Sequence, residues 1–181
     1  MARAPRYDVP KAAPEPLRLV QLFVNTADRE HGREWLHTVD GLRRWLVERD
    51  LLQPPSARLN AADLERARDV REALRGLIRG HATSEVLDRA AGDARLTLRF
   101  EPGSVELVPE ARGADGALGS ILAVVHGAIQ DGSWQRLKTC PRCSWVFYDY
   151  SRNRSAAWCS MQLCGNRVKT RSYYRRRTSP R

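Results

Sequence analysis

The spacing of hydrophobic and polar residues predicts a long amphipathic helix over residues 61 to about 79. At about 100° per residue its apolar side chains fall on one arc, which is the expected core face. These side chains are Leu64, Ala67, Val70, Leu74, Leu77 and Ile78. Asn60 is a favoured N-cap residue, and Asp63 lies in the first turn, where the helix dipole favours an acid. The pattern therefore predicts a helix with one buried face.

Other segments before residue 133 predict further helices and one β-hairpin. Residues 17–26 are apolar on all sides and should be buried, but their pattern does not separate a helix from a strand. Residues 95–100 and 104–108 alternate around Glu101-Pro102-Gly103, which is typical of a hairpin. Three more helices are expected: residues 41–49 with Asp40 as cap, a short one after Ser84, and residues 117 to about 130.

These segments predict an α+β fold that is mainly helical and has three parts. Residues 1–16 contain four prolines and should form a disordered lead. Residues 17–132 should form a helical domain with one β-hairpin and a core of its own. Residues 133–181 should form a small C-terminal four-cysteine zinc finger with a basic helix.

Charge is segregated along the chain. Of its 31 basic and 21 acidic residues, residues 133–181 hold 12 basic residues and a single acid, Asp149. A near-neutral domain followed by a strongly basic one favours a polyanionic partner. The sequence shows neither a signal peptide nor an apolar run near the ~20 residues of a membrane span. All four cysteines lie after residue 139, unlike a disulfide scaffold, so we expect a cytoplasmic, nucleoid-associated protein.

The cysteines have the spacing of metal ligands. Cys140 and Cys143 form a Cys-x-x-Cys pair, and Cys159 and Cys164 form a second pair after fifteen residues. Four thiolates close the shell of a tetrahedral ion, so the pattern predicts one structural zinc per chain and no catalytic position. Redox chemistry or unligated buried cysteines are the alternatives. So short a segment should fold only with its metal.

Residues beyond Cys164 predict a basic helix. Arg167, Arg171, Tyr174 and Arg175 share one face, and Lys169 and Arg176 lie opposite. Such a helix repels itself in isolation and would be stabilised by a polyanion. With Arg152 and Arg154, these residues are the expected nucleic-acid contacts. Asn166 is expected either to read a base or to cap a helix.

The finger resembles a known family. The run C-P-R-C-S-W-V-F-Y-D-Y-S-R-N-R and the later W-C-S-M-Q-L-C-G-N-R-V-K resemble the CGNR zinc-finger family of bacterial proteins. Its members carry an N-terminal ABATE domain and are described as stress-induced transcription regulators. Phe23-Val24-Asn25-Thr26 and the helix with Trp45 are similar too. The resemblance implies zinc on the four cysteines and nucleic-acid binding by the finger. Ala156 and Ala157 depart from the family, which often has basic residues there.

Three functions are compatible with these patterns. The leading hypothesis is a zinc-dependent DNA-binding transcription regulator, acting as a homodimer on double-stranded DNA, because two-fold symmetry doubles the contacts of a small finger. The alternative is an RNA- or ribosome-associated zinc-binding module. An enzyme is the third reading, but the four histidines form no catalytic pattern, so we expect no enzyme activity.

Arg71 is the polar exception on the core arc of the long helix. A buried arginine needs a carboxylate, carbonyl oxygens or a bound anion. It should therefore pair internally or lie at the edge of the stripe. The sharper hypothesis is that Arg71 and Asn25 line a pocket for a small anionic effector.

Overall fold

The computed structural model describes residues 11–81 and 84–166, which form five α-helices and three two-stranded antiparallel sheets. The helices are α1 (Leu17–Val24), α2 (Val39–Val47), α3 (Ala61–Ile78), α4 (Ser84–Asp93) and α5 (Gly113–Gln130). The paired strands are β1 (Ala27–Asp28) with β2 (Arg33–Glu34), β3 (Leu96–Glu101) with β4 (Ser104–Pro109), and β5 (Leu137–Thr139) with β6 (Val146–Tyr148). The predicted class, α+β and mainly helical, is confirmed.

Capping residues in the sequence predict the start of helix α3 correctly but not that of helix α2. At α3, the Asn60 side chain accepts from Asp63 N and the Asp63 side chain accepts from Asn60 N, which is a complete capping box. At α2 the predicted cap is wrong: Thr38 Oγ1 accepts from Gly41 N at 3.0 Å, and Asp40 lies in the first turn. Both residue types can cap a helix, and the structure uses the earlier one.

Helix α5 begins four residues before its predicted start because its first turn is made of small residues that resemble a loop.

Gly119, further along α5, contacts the base of the β3–β4 hairpin. A Cβ at Gly119 would lie 2.6 Å from Ala94 Cβ and 2.9 Å from Pro109 Cβ. The absent side chain therefore allows α5 to approach the hairpin closely.

The main hydrophobic core extends from the helices into the cysteine-containing region. Val20, Phe23, Leu42, Leu74 and Ile121 are among its fully or almost fully buried side chains. Three residues of the β5–β6 hairpin belong to the same core, namely Leu137, Val146 and Tyr148. The expectation that residues 17–132 have a core of their own is therefore wrong, because the hairpin completes that core.

The prediction of a disordered lead is wrong for residues 11–16, which pack on both the helical domain and the finger. Lys11 O accepts from Tyr148 N at 2.9 Å, so this segment extends the edge of β6. The Lys11 ammonium lies 4.6 Å from the centre of the Phe147 ring. Ala13 is buried in the main core, and its N–H donates to Gln21 Oε1. Two prolines, Pro14 and Pro16, do not prevent residues 11–16 from binding a strand edge, and residues 1–10 lie outside the described part.

Candidate metal centre and its seam with the helical domain

The sulfur atoms of Cys140, Cys143, Cys159 and Cys164 form one buried cluster. All four Sγ atoms lie within 4.8 Å of one another. Cys159 Sγ is 3.5 Å from Cys143 Sγ and 3.6 Å from Cys164 Sγ. A tetrahedral zinc with Zn–S bonds of about 2.3 Å requires sulfur separations of about 3.8 Å. The four thiolates therefore fit one tetrahedral metal ion and would leave it no open position.

Main-chain hydrogen bonds place the first cysteine pair. We call residues 140–145 the knuckle, the loop that joins β5 to β6. Cys140 N donates to Trp145 O, and Ser144 N donates to Cys140 O, each at 2.9 Å. Ser144 has a φ of 60°, in the left-handed region. These bonds turn the chain back so that both thiols of the pair point to one place.

A π-helical turn, Met161–Gly165, places the second pair. Its start is capped by Ser160, whose Oγ accepts from Leu163 N at 3.3 Å and whose carbonyl accepts from Cys164 N at 3.0 Å. The two pairs share a small core with Trp145 and Phe147. Aromatic side chains therefore pack directly against the cysteines.

Crowding of the thiols perturbs their ionisation. The pKa of Cys143 is raised to about 12, and the largest cause is its hydrogen bond with Cys140. The same interaction lowers the pKa of Cys140, and hydrogen bonds to Cys140 and Cys143 raise the pKa of Cys159. Adjacent thiolates repel one another, so a cation is needed to hold all four in the charged form. The donor set thus fits a bound dication.

The metal centre is joined to the helical domain through β6. Asn25, directly after α1, makes two hydrogen bonds with Val146: its Nδ2 donates to Val146 O, and its Oδ1 accepts from Val146 N, both at 2.8 Å. Gln21 Nε2 donates to the same carbonyl at 3.1 Å. Asn25 therefore pairs with β6 as a neighbouring strand would.

Arg75 of α3 makes the second connection. Its side chain is only 2% exposed, and its guanidinium donates to Val24 O at 2.6 Å and to Ser144 O at 2.7 Å. One arginine thus binds the end of α1 and the knuckle together. We define the seam as the contacts that Gln21, Asn25 and Arg75 make with residues 144–146. At its edge, Arg142 of the knuckle pairs with Glu30 at 2.6 Å.

A network of ions supports the buried Arg75. Its Nε lies 3.1 Å from Glu72 Oε2, and Glu72 also pairs with Arg71 and Arg29. Although burial would raise the pKa of Glu72, the charges of these arginines lower it below its usual value. Glu72 is therefore a carboxylate that balances the arginines on this face of α3.

The predicted effector pocket lined by Asn25 and Arg71 is wrong, because both side chains have internal partners. Arg71 NH1 lies 2.6 Å from Glu34 Oε1 and 3.1 Å from Thr26 Oγ1, and Arg71 Nε lies 3.0 Å from Glu72. Asn25 is fully engaged by β6. The internal pairing that the sequence also allowed is the one observed, with acids that the helical pattern alone could not identify.

Asp149 organises the loop that presents the predicted contacts Arg152 and Arg154. It is fully buried, 2.8 Å from Lys138 Nζ, and accepts from Ser151 N at 2.9 Å and Ala156 N at 3.0 Å. Both arginines of the loop are exposed. The single acid among the basic residues is the sequence signal from which this structural role could have been predicted.

The remaining predicted contacts fall largely beyond the described residues. Asn166 is exposed and occupies the C-cap position of the π-helical turn, where its N–H donates to Met161 O. Six predicted contacts lie outside the described part of the chain: Arg167, Lys169, Arg171, Tyr174, Arg175 and Arg176. The structure therefore brings together the four cysteines, whereas the basic face remains a prediction.

The fold and the site define a protein in which a small four-cysteine finger packs on a helical domain. Residues 17–130 match the ABATE model, whose description is "Putative stress-induced transcription regulator", and residues 136–177 match the CGNR zinc finger. The chain belongs to the ABATE family and carries the CGNR finger, which confirms the resemblance seen in the sequence. A comparison with curated proteins gives no match. Among the described residues, no helix is both long and apolar enough to cross a membrane.

Replacing Arg75 with methionine should destabilise the whole chain, because the buried carbonyl of Val24 and the partly buried carbonyl of Ser144 would lose a charged donor. We expect the free energy of unfolding to fall by about 3 kcal/mol, measured by urea denaturation. Arg79→Met is the matched control, since exposed Arg79 donates to Ser144 Oγ at 2.8 Å and its loss should cost about 0.5 kcal/mol or less. Equal effects of the two substitutions would contradict the role assigned to Arg75.

Replacing Asp149 with asparagine should remove a contribution to stability that depends on pH. Burial alone would raise the pKa of Asp149, but hydrogen bonds from Lys138, Ser151 and Ala156 hold it well below its usual value. Such a group stabilises the fold above its unfolded pKa of about 4, and the contribution is lost as the pH falls towards the folded pKa. The difference in unfolding free energy between wild type and variant should thus be full at neutral pH and shrink below about pH 4. A difference that is constant over a series of acidic buffers would disprove this.

Proposed function

We propose that this chain is a zinc-dependent DNA-binding transcription regulator whose helical domain senses a small effector, forms a homodimer, or both. The main support for this proposal is the charge of the finger surface. Twelve basic residues and one acid follow residue 132, and that acid, Asp149, is buried against Lys138. The finger therefore presents basic charge without an exposed carboxylate of its own, which is the electrostatic requirement for binding a polyanion.

Zinc is the metal that best suits the four-thiolate cluster. It accepts tetrahedral thiolate shells without a redox change, and such a closed shell holds structure. We propose one structural zinc per chain and no enzyme activity, since substrate or water would find no free position on the ion.

Binding to double-stranded DNA would use two groups of residues. Arg152 and Arg154 lie on the exposed loop that Asp149 holds, and the residues beyond Cys164 supply the basic face predicted from the sequence. Arginines on phosphates give affinity, and one or two on guanine edges give specificity. A homodimer would place two fingers on a palindrome. The protein would act in the cytoplasm, at the nucleoid.

One observation favours RNA as a second candidate partner. Tyr150 is 60% exposed, two residues before Arg152, and its ring packs edge-on against Tyr148 at 4.7 Å. An exposed aromatic ring beside arginines suits stacking on unpaired bases. Selection from random DNA duplexes, with structured RNA as competitor, tests both candidates. A DNA consensus that resists RNA competition supports the regulator, and preferential retention of RNA supports the alternative.

Changing Arg167, Arg171 and Arg175 together to alanine should weaken DNA binding. If all three contact phosphates, each should contribute about 0.9 to the slope of log affinity against log salt concentration. Fluorescence anisotropy over a salt series measures this slope. The matched control changes three exposed arginines of the helical domain, Arg89, Arg95 and Arg99, and should leave the slope nearly unchanged. An unaltered affinity in the first variant would remove this face from the proposal.

Replacing Cys143 with serine should release the metal and destabilise the helical domain as well, because Val146 and Tyr148 belong to the main core. We expect metal analysis to fall from one zinc per chain to none, and thermal unfolding by circular dichroism to shift to lower temperature. Gln162→Ala, an exposed residue between Cys159 and Cys164 without a ligand atom, should keep the zinc. A metal-free variant whose helices melt at the wild-type temperature would contradict this coupling.

A further inference from the structure

The β3–β4 hairpin carries a stripe of exposed apolar side chains. Leu98 is 58% exposed, Phe100 is 74% exposed and Val105 is 55% exposed. The strand register places Phe100 opposite Val105, and it places Leu98 opposite Leu107. Since residues directly opposite each other share a face, these four side chains form one stripe. Contiguous exposed apolar side chains of this kind mark an interaction surface.

Helix α5 covers only the base of this stripe. Leu96 and Pro109 form the last pair of the register. Both lie against Gly119 of α5, where a Cβ atom would be 2.9 Å from Pro109 Cβ and 3.4 Å from Leu96 Cδ2. Side chains two residues apart on a strand point to the same face, so Leu98 and Phe100 continue that surface beyond the helix. The hairpin therefore projects past α5, and the continuation of its packed face is exposed.

Strand β3 also has a free backbone edge. Glu110 N donates to Arg95 O at 3.3 Å, so the odd-numbered residues of β3 form the hydrogen-bonded pairs with β4. Since an antiparallel ladder alternates, Leu96, Leu98 and Phe100 direct their N–H and C=O groups away from β4. Among the described residues, no third strand pairs with this edge. An edge of this kind is a template for another strand.

We propose that β3 pairs antiparallel with β3 of a second copy of this chain, around a two-fold axis at Leu98. The two hairpins would form one four-stranded sheet, in which the two Leu98 residues exchange main-chain hydrogen bonds. Opposite residues share a face, so both apolar stripes would lie on the same side of this sheet. This inference rests on the proposed function, which includes a homodimer, and it names the interface of that homodimer.

The same pairing would cover Phe100, which has the most exposed of the large apolar side chains in the described part of the chain. With the axis at Leu98, Phe100 lies opposite the partner's Leu96. Leu96 packs against α5 of its own chain near Gly119, so Phe100 would reach the partner's helix. A buried aromatic ring contributes strongly to the free energy of an interface. The second copy thus completes the packing that one chain leaves open.

The charges at the two ends of β3 are complementary in this pairing. Arg95 would lie opposite the partner's Glu101, and the two-fold axis repeats that pair at the other end of the strands. Within one chain, the ion contact of Arg95 is with Glu110 at 4.0 Å, and both of those side chains are exposed. Opposite charges across neighbouring strands stabilise a sheet modestly. A second copy therefore offers Arg95 an additional carboxylate.

Neighbouring registers place like charges together. An axis at Thr97 would put Arg95 opposite the partner's Arg99, and an axis at Arg99 would put the two Arg99 residues opposite each other. Like charges in directly opposite positions destabilise a sheet. The outer edge of β4 fits less well, because Pro109 has no N–H to donate. Exposed ion pairs contribute little free energy, so alanine at Arg95 or Arg99 should leave the dimer formed.

Sedimentation equilibrium of the full-length chain, purified without chelator, tests the interface. At micromolar concentration the wild type should have twice the chain mass of 20.5 kDa. Leu98→Lys would place two ammonium groups opposite each other, and it should raise the dimer Kd at least about tenfold. Ile129→Lys is the matched control, since Ile129 is apolar and 48% exposed but lies ten residues beyond Gly119 on α5. Its dimer Kd should equal that of the wild type, and circular dichroism should show that both variants are folded.

Two substitutions of opposite charge at Thr97 test the register. With the axis at Leu98, Thr97→Glu would face the partner's Arg99 and should tighten the dimer about fivefold. Thr97→Lys should loosen it by a similar factor for the same reason. An axis at Arg99 would reverse these signs, because Thr97 would face the partner's Glu101, and an axis at Thr97 would make both variants weaker. Either of those patterns, or no effect of both variants, would overturn the proposed pairing.

The oligomeric state and DNA binding decide different claims. A wild-type chain that stays monomeric would overturn this interface and the homodimer of the proposed function, while the salt series still decides DNA binding. A dimer that is unchanged by Leu98→Lys would overturn this interface alone. If monomeric Leu98→Lys loses affinity for a palindrome but not for a single half-site, the interface and its role on DNA are both supported. If it binds both duplexes as the wild type does, the interface stands and the dimer has no part in DNA binding.

Discussion

The arrangement of the whole protein depends on how Asn25 and Arg75 bind the main chain of residues 144–146. A buried carbonyl or N–H group that loses its partner costs about 1–3 kcal/mol, and the seam satisfies several such groups at once. The β5–β6 hairpin then contributes Leu137, Val146 and Tyr148 to the main core. The finger is therefore a structural part of the helical domain and not an appendage on a linker.

Elements with local signals could be predicted from the sequence, and elements that depend on tertiary contacts could not. Helix α3 has both an apolar arc and a capping box, and the β3–β4 hairpin has alternating residues around a proline–glycine turn. Helix α1 is apolar on all sides, so only its packing shows that it is helical. Residues 11–16 become ordered through Tyr148 and Gln21, contacts that composition does not reveal.

The same distinction applies to the candidate site. The metal cluster could be predicted from the spacing of the cysteines, because few other side chains can replace thiolate ligands. The seam leaves no such pattern, since its bonds join residues 69 to 125 positions apart and end on main-chain atoms that every residue has. Arg71 was recognised as a buried cation, but its partners Glu34 and Glu72 lie on two different elements. Its environment therefore became clear only from the fold.

The way in which Asn25 binds β6 has a consequence for how this protein can evolve. Both of its hydrogen bonds end on the backbone of Val146, so this contact does not depend on the identity of any side chain of the finger. Substitutions on the outer surface of the finger can therefore change its charge and shape while the bonds of Asn25 persist. Natural variation, or deliberate exchange of finger surfaces between relatives, can thus place different surfaces on an unchanged scaffold.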